Sequence, residues 1–180
     1  KETVMIKKAA LALTLLIIFA MDAYGAELVV PDLHRTIQEA IDKAAPDDIV
    51  IVKPGSYSEN IVISRPVTLR SSAGPASTSI NAAKKSEPVI SINGTTGVFI
   101  DGVSATGSEV AGIRLTKSYG VTLKGNSFTD NLYGIALYDS NGNTIEGNTA
   151  DLNGNYGIYL EKSHGNSLAK NSACSNGDKC

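Results

Sequence analysis

The chain has 180 residues, a length for one domain, and 42% of them are hydrophobic, enough to supply a core. A formal net charge of −2 gives no basic surface of the kind that holds nucleic acid. The 17 glycines recur at fixed offsets, where tight corners form, and so do not signal disorder.

The amino terminus reads as a targeting segment. Lys7-Lys8 lead into an apolar run from Ala9 to Met21, and Ala23-Tyr24-Gly25 places small residues before a cut ahead of Ala26. The run is shorter than the roughly 20 residues a membrane span needs. Residues 1–25 are therefore expected to be a cleaved signal peptide, with Met5 as the start; a retained anchor is the alternative. Without them the net charge is −3, because Lys1, Lys7, Lys8, Glu2 and Asp22 are lost. No transmembrane span is expected in the mature chain.

Residues 26–47 read as a strand and a helix. Leu28-Val29-Val30 precedes Pro31 as a short strand. Within Thr36–Ala45, the residues Ile37, Ala40, Ile41 and Ala44 fall on one helical stripe, and Pro46 ends it. Such a helix would cover the open end of the first coil of a solenoid. Residues 48–180 then read as strands punctuated by turns: Asp48–Gly55, Ile61–Ile63 and Val67–Arg70. Residues 71–88 are less regular, with Ile80 the inward residue. From Val89 onward the pattern is regular.

The regular part repeats one unit. Gly112-Ile113-Arg114-Leu115 recurs as Gly134-Ile135-Ala136-Leu137 and as Gly157-Ile158-Tyr159-Leu160, at spacings of 22 and 23 residues. Gly120, Gly142 and Gly165 hold a second fixed place, and Asn126, Asn148 and Asn171 a third. Apolar residues alternate within each unit, which is the strand period. Strands this short at a fixed repeat bury their apolar sides only by stacking on neighbouring units. The expected fold is all-β: a right-handed parallel β-helix of about six coils, on the order of 30 Å long at about 4.8 Å per coil.

The inward column is expected to be Ile90/Ile92, Ile113/Leu115, Ile135/Leu137 and Ile158/Leu160. A second face would hold Val98/Ile100, Val121/Leu123, Ile145 and Leu168. Asn126, Asn148 and Asn171 are expected to stack as a ladder. The cysteines, Cys174 and Cys180, could close a small disulfide loop in an exported chain.

Two features carry a resemblance. The Thr36–Ile41 helix with Ile49–Asn60 resembles the opening of pectin-lyase-like β-helix proteins. The repeats Gly-Ile-x-Leu and Gly-Asn-Thr-Ile-x-Gly-Asn-Thr resemble the NosD-type family of periplasmic or surface β-helix proteins, often described as carbohydrate-binding and sugar-hydrolase (CASH) domains. The resemblance implies the fold over nearly the whole mature chain. For activity it leaves open lyases, hydrolases, binding modules and scaffolds.

The residues present do not complete a catalytic site. Pectin methylesterase chemistry, as the resemblance implies it, needs Gln-containing motifs later in the chain, and no Gln follows Gln38. Glycoside hydrolysis needs two carboxyls roughly 5–10 Å apart, and Glu161 has no partner in the expected coils. Copper, which the NosD resemblance suggests, wants clustered Met, Cys or His. His34 and His164 are far apart and no Met follows Met21. No catalytic residue, metal site or cofactor is expected.

What remains is an outward sheet face with Ser91/Asn93, Arg114/Thr116, Ala136/Tyr138 and Tyr159/Glu161. Tyr138 and Tyr159 are expected to stack one coil apart beside Arg114, Thr116 and Glu161, an arrangement that suits sugar rings. These five residues are the candidate carbohydrate-binding site, and the expected partner is a polysaccharide or envelope glycan. Tyr133 and Tyr156 are expected to wedge the turns before their glycines. A scaffold without a ligand, an enzyme with catalytic coils beyond residue 180, and a NosD-like accessory factor for copper-enzyme maturation are the alternatives.

Overall fold

The computed structural model describes residues 25–177. The expected signal segment thus lies outside the described residues except Gly25, as does Cys180. Among the described residues, no helix is long and apolar enough to cross a membrane.

Among the described residues, sixteen strands, β1 to β16, and one helix, α1, make a parallel β-solenoid of about six coils. Three sheets form its walls. The first stacks β1 (Glu27–Val30), β2 (Ile49–Val52), β5 (Thr68–Ser71), β8 (Phe99–Asp101), β11 (Thr122–Lys124), β14 (Thr144–Glu146) and β16 (Ser167–Ala169). The second stacks β4 (Ile61–Ile63), β7 (Ile90–Asn93), β10 (Ala111–Thr116), β13 (Tyr133–Tyr138) and β15 (Tyr156–Glu161). The third holds β3 (Gly55–Ser58), β6 (Thr78–Asn81), β9 (Ser104–Thr106) and β12 (Ser127–Phe128). Single bridges from Ser127 to Thr149 and from Thr149 to Ser172 extend it.

Register fixes the core, because each inward residue sits over its counterpart one coil away. Leu28, Val50, Leu69, Ile100, Leu123, Ile145 and Leu168 form one column. Ile61/Ile63, Ile90/Ile92, Ile113/Leu115, Ile135/Leu137 and Ile158/Leu160 form the second. Both match the expected columns. In the last described coil, however, Leu160 and Leu168 are 37% and 46% exposed. Burial in a solenoid comes from the neighbour, and among the described residues no coil follows theirs.

The third wall went unrecognised in the sequence apart from Ile80. Tyr57, Ile80, Ala105 and Phe128 share its inward column, and Ala150 follows in the next coil. Phe128 is fully buried between the small side chains of Ala105 and Ala150, the alternation of volumes that fills a layer without strain. Within the less regular stretch 71–88, residues 78–81 form β6 and residues 82–88 connect it toward β7. The Asn60 amide fastens them, donating to Pro88 O at 2.9 Å and accepting Lys84 N–H at 2.7 Å.

Helix α1 (Ile37–Lys43) covers the first coil, with Ile37, Ala40 and Ile41 buried. Its N-terminus is capped twice. Thr36 Oγ1 accepts Glu39 N–H at 3.1 Å, and the Glu59 carboxylate accepts Ile37 N–H at 2.9 Å and Gln38 N–H at 3.0 Å. Glu59 therefore locks the helix onto the coil that it closes.

The asparagine ladder is present. Asn148 Oδ1 accepts the Asn126 backbone N–H, and Asn171 Oδ1 accepts that of Asn148. Two further ladders accompany it: Asn131, Asn153 and Asn176 at a second corner, and Asn143 with Asn166 at a third. Asn143 follows Val67, Val98 and Val121 in sequence position, yet it is a rung: its Oδ1 takes Val121 N–H at 2.9 Å.

Two kinds of glycine serve this repeat. Gly142 has φ +62° and makes a left-handed corner. Gly134 is needed for space, since a Cβ there would lie 2.6 Å from Gly157 O and 2.8 Å from Asn153 Nδ2.

Candidate functional site

The outward side of the second sheet carries the candidate residues in two columns. One runs Val62, Ser91, Arg114, Ala136, Tyr159; the other runs Asn93, Thr116, Tyr138, Glu161. Arg114 and Thr116 share β10, Tyr138 lies on β13, and Tyr159 and Glu161 share β15. All five predicted residues therefore lie on one face.

Register alters how the tyrosines meet. Tyr159 sits over Ala136, and Glu161 sits over Tyr138, so Tyr138 and Tyr159 belong to different columns. Their rings meet diagonally, centroids 5.7 Å apart and planes at 52°. The first column carries the small residue Ala136 on β13, beneath Tyr159, and it is 1% exposed.

Tyr133 and Tyr156 join this face and do not wedge the turns. They pair in register and stack with centroids 6.0 Å apart and planes at 16°. Each also meets Tyr159, at 5.3 Å and 5.7 Å. The reason lies in Gly134 and Gly157, which have no partner in the ladder. Strict alternation is interrupted at these positions, and the preceding tyrosine lies on the face. Four tyrosines thus form one cluster, where strand alternation alone points to two.

Polar groups surround the rings. Tyr159 Oη donates to Glu161 Oε2 at 3.1 Å, and Asn155 Nδ2 donates to Tyr133 Oη at 3.2 Å. The bond to Glu161 holds the Tyr159 phenol above its ordinary pKa, since the carboxylate prefers a protonated donor. Burial raises that of Tyr138, and neighbouring Tyr133 and Glu161 add to it while Arg114 opposes. Tyr138 and Tyr159 are thereby held as neutral phenols at ordinary pH. Arg114 Nε is buried without a hydrogen-bond partner among the described residues.

The face offers flat apolar ring surfaces, phenol donors, a guanidinium, the hydroxyl of Thr116 and one carboxylate. Glu161 is the single carboxylate in the two outward columns, so the pair that glycoside hydrolysis requires is not assembled there. A separate open groove of about 600 Å³ follows the corner before this sheet, lined by Lys85, Glu109, Asp130, Leu132 and Leu152 among others. It holds none of the predicted residues.

Comparison with known proteins places this solenoid. Residues 47–180 match the family described as "Periplasmic copper-binding protein (NosD)". The chain belongs to the NosD family. The match begins just before β2, so it covers the solenoid from β2 onward but neither β1 nor α1. A "Cell surface glycoprotein" of Methanothermus fervidus is 33% identical over 128 residues, which cover 67% of this chain and 21% of that protein. The chain accordingly spans about a fifth of that relative's length. No solved structure gave a significant match.

The copper in the family's description was tested against the donors this NosD chain presents. Among the described residues, no three His, Cys, Asp or Glu side chains come together to hold a metal ion. His34 lies beside Glu39 at the helix-capped end, while His164 sits in the turn between β15 and β16 in the last described coil. Six strand steps, or roughly 29 Å at about 4.8 Å each, separate those ends. Soft-metal binding by side chains needs convergent donors, and these do not fit it. Cys174 is exposed, its backbone N–H bonded to Asp151 Oδ1 at 2.7 Å; its pairing with Cys180 falls outside the described residues.

Proposed function

We propose that this NosD-family chain is an exported, cell-surface or periplasmic module that binds polysaccharide, without catalysis, through the tyrosine face of its second sheet. The four-ring cluster of Tyr133, Tyr138, Tyr156 and Tyr159 carries the reading. Sugar rings present flat CH faces that pack on aromatics, and their hydroxyls need nearby donors and acceptors. Arg114, Thr116 and Glu161 supply those within the same two columns. The rings stand on a sheet pinned by asparagine ladders, so little order has to be gained on binding. The family's periplasmic description, the surface relative and the amino-terminal segment all support an exported location.

The test is co-sedimentation of the chain with insoluble neutral and uronic-acid polysaccharides, with the supernatant assayed for released sugar. Retention on at least one polysaccharide, without sugar release and lost in the Tyr138→Ala/Tyr159→Ala variant, is expected. Retention unchanged in that variant would sink the assignment of the face. No retention on any polysaccharide would leave a scaffold.

A further inference from the structure

The chain contains 13 asparagines, and most of those in the regular coils are rungs of ladders. Asn93 is different. It ends β7 on the exposed side of the second sheet, and its side chain makes no hydrogen bond among the described residues. It is also the single asparagine of the 13 with Ser or Thr two places on: Asn93-Gly94-Thr95, with no proline between. Asn-x-Ser/Thr is the acceptor motif for N-linked glycans in exported proteins.

We propose that Asn93 is an N-linked glycosylation site, a proposal that rests on the export reading above. The surroundings suit it. The neighbour above Asn93 in its column is Thr116, and its nearest outward neighbour on β7 is Ser91, both small. Gly94 turns at φ +60°, and a Cβ built there would meet nothing within 4 Å, so the space beside the acceptor is open. In the transfer, Asn93 Nδ2 bonds to the anomeric carbon of a lipid-phosphate-linked oligosaccharide. The bond from that carbon to the phosphate oxygen breaks, the lipid phosphate leaves with the electron pair, and the amide gives up one proton to the transferase.

Timing follows from Thr95. The motif's hydroxyl must be read by the transferase, yet Thr95 is 7% exposed once folded. Transfer therefore precedes closure of this coil, during export. The finished glycan would stand in the column of Thr116 and Tyr138, with Tyr138 two strands or about 10 Å away. Its first sugars would reach the lower margin of the tyrosine face.

The experiment expresses the full chain in a host with an N-glycosylating secretory pathway and analyses the exported protein by peptide mass spectrometry. A Lys162→Asn/His164→Thr variant provides a control motif in an exposed turn, since both positions are exposed. Sugar on the Asn93 peptide is expected, abolished by Asn93→Gln and kept by Thr95→Ser. An unmodified Asn93 on exported chains whose control motif is glycosylated overturns the proposal and leaves the export reading intact. A chain retained inside the cell, with neither motif modified, overturns the export reading and this site with it.

Discussion

Asn148 Oδ1 accepts two hydrogen bonds from Asn126, one from its backbone N–H and one from its side-chain amide, each at 3.0 Å. The Asn148 amide in turn donates to Leu123 O at 2.9 Å and to Asn171 Oδ1 at 3.0 Å. One side chain thereby satisfies groups in the coils on both sides of its own.

Asn148→Ala should strand those groups in the interior. Each buried unsatisfied group costs about 1–3 kcal/mol, so a loss of about 3 kcal/mol in urea unfolding is expected. Asn148→Asp retains the acceptors and loses both donations, and should be no better than the alanine variant. Unchanged midpoints in both would mean that the ladder contributes nothing to stability.

The inward column gives an internal contrast. Leu137 and Leu160 hold the same place in successive coils, but Leu137 is fully buried and Leu160 is 37% exposed. Leu137→Ala should destabilise by about 2–5 kcal/mol, while Leu160→Ala should stay under about 1 kcal/mol. Leu137→Asp, which puts a charge into the core, should unfold the coils cooperatively. Equal thermal shifts for the two alanine variants would show the register to be wrong.

Glycine substitutions separate space from backbone conformation. Gly134→Ala drives a Cβ to within 2.9 Å of Ala150 Cβ as well as against Gly157 O, and should destabilise by about 1–3 kcal/mol. Gly154→Ala meets its nearest neighbour, Leu132 Cδ1, at an ordinary 3.6 Å and should be near neutral. Thermal melts of the two decide it; a reversed order would contradict the packing at the bend.

The phenols provide a pH signature. Tyr159 and Tyr138 have pKa values above the ordinary 10.0, so the folded state holds those protons more tightly than the unfolded chain does. The stability this confers is present below pH 10.0 and is lost as pH rises through the higher folded values. Spectrophotometric titration should show tyrosines ionising later than in the unfolded chain. Glu161→Gln should bring Tyr159 back toward its ordinary value; no change in that variant would refute the bond to Glu161 as the cause.

Much of this was legible in the sequence because the solenoid writes its geometry into a 22- or 23-residue period. Ile113/Leu115 and Ile135/Leu137 alternate cleanly, so two walls, one ladder and the capping helix could be read directly. The third wall could not. Its strands are as short as the two residues of β12, too few to show alternation, and Ala105 and Ala150 carry no strong apolar signal. Asn143 follows valines in its column, so the pattern gives no cue that it is a ladder rung, although an amide at a corner can satisfy backbone there. Tyr133 and Tyr156 lie on the face rather than at the turns because period 2 presumes an unbroken strand, and the ladder register skips Gly134 and Gly157. Glu59 gave no cue at all, since its partners are backbone N–H groups 22 and 21 residues earlier.

Strict vertical register also bears on how such a gene can change. Tyr133 aligns with Tyr156, and Gly157 opens the next unit as Gly134 opens its own. Excision of residues 134–156 would join Tyr133 directly to Gly157 and bring Asn126 and Asn171 into neighbouring positions of the same ladder. An unequal recombination that removes or copies one whole unit therefore leaves every junction chemically familiar. The tyrosine surface would shorten or lengthen by one row. If the face binds glycan as proposed, its reach along the chain would vary by counting units, with no new side chain required.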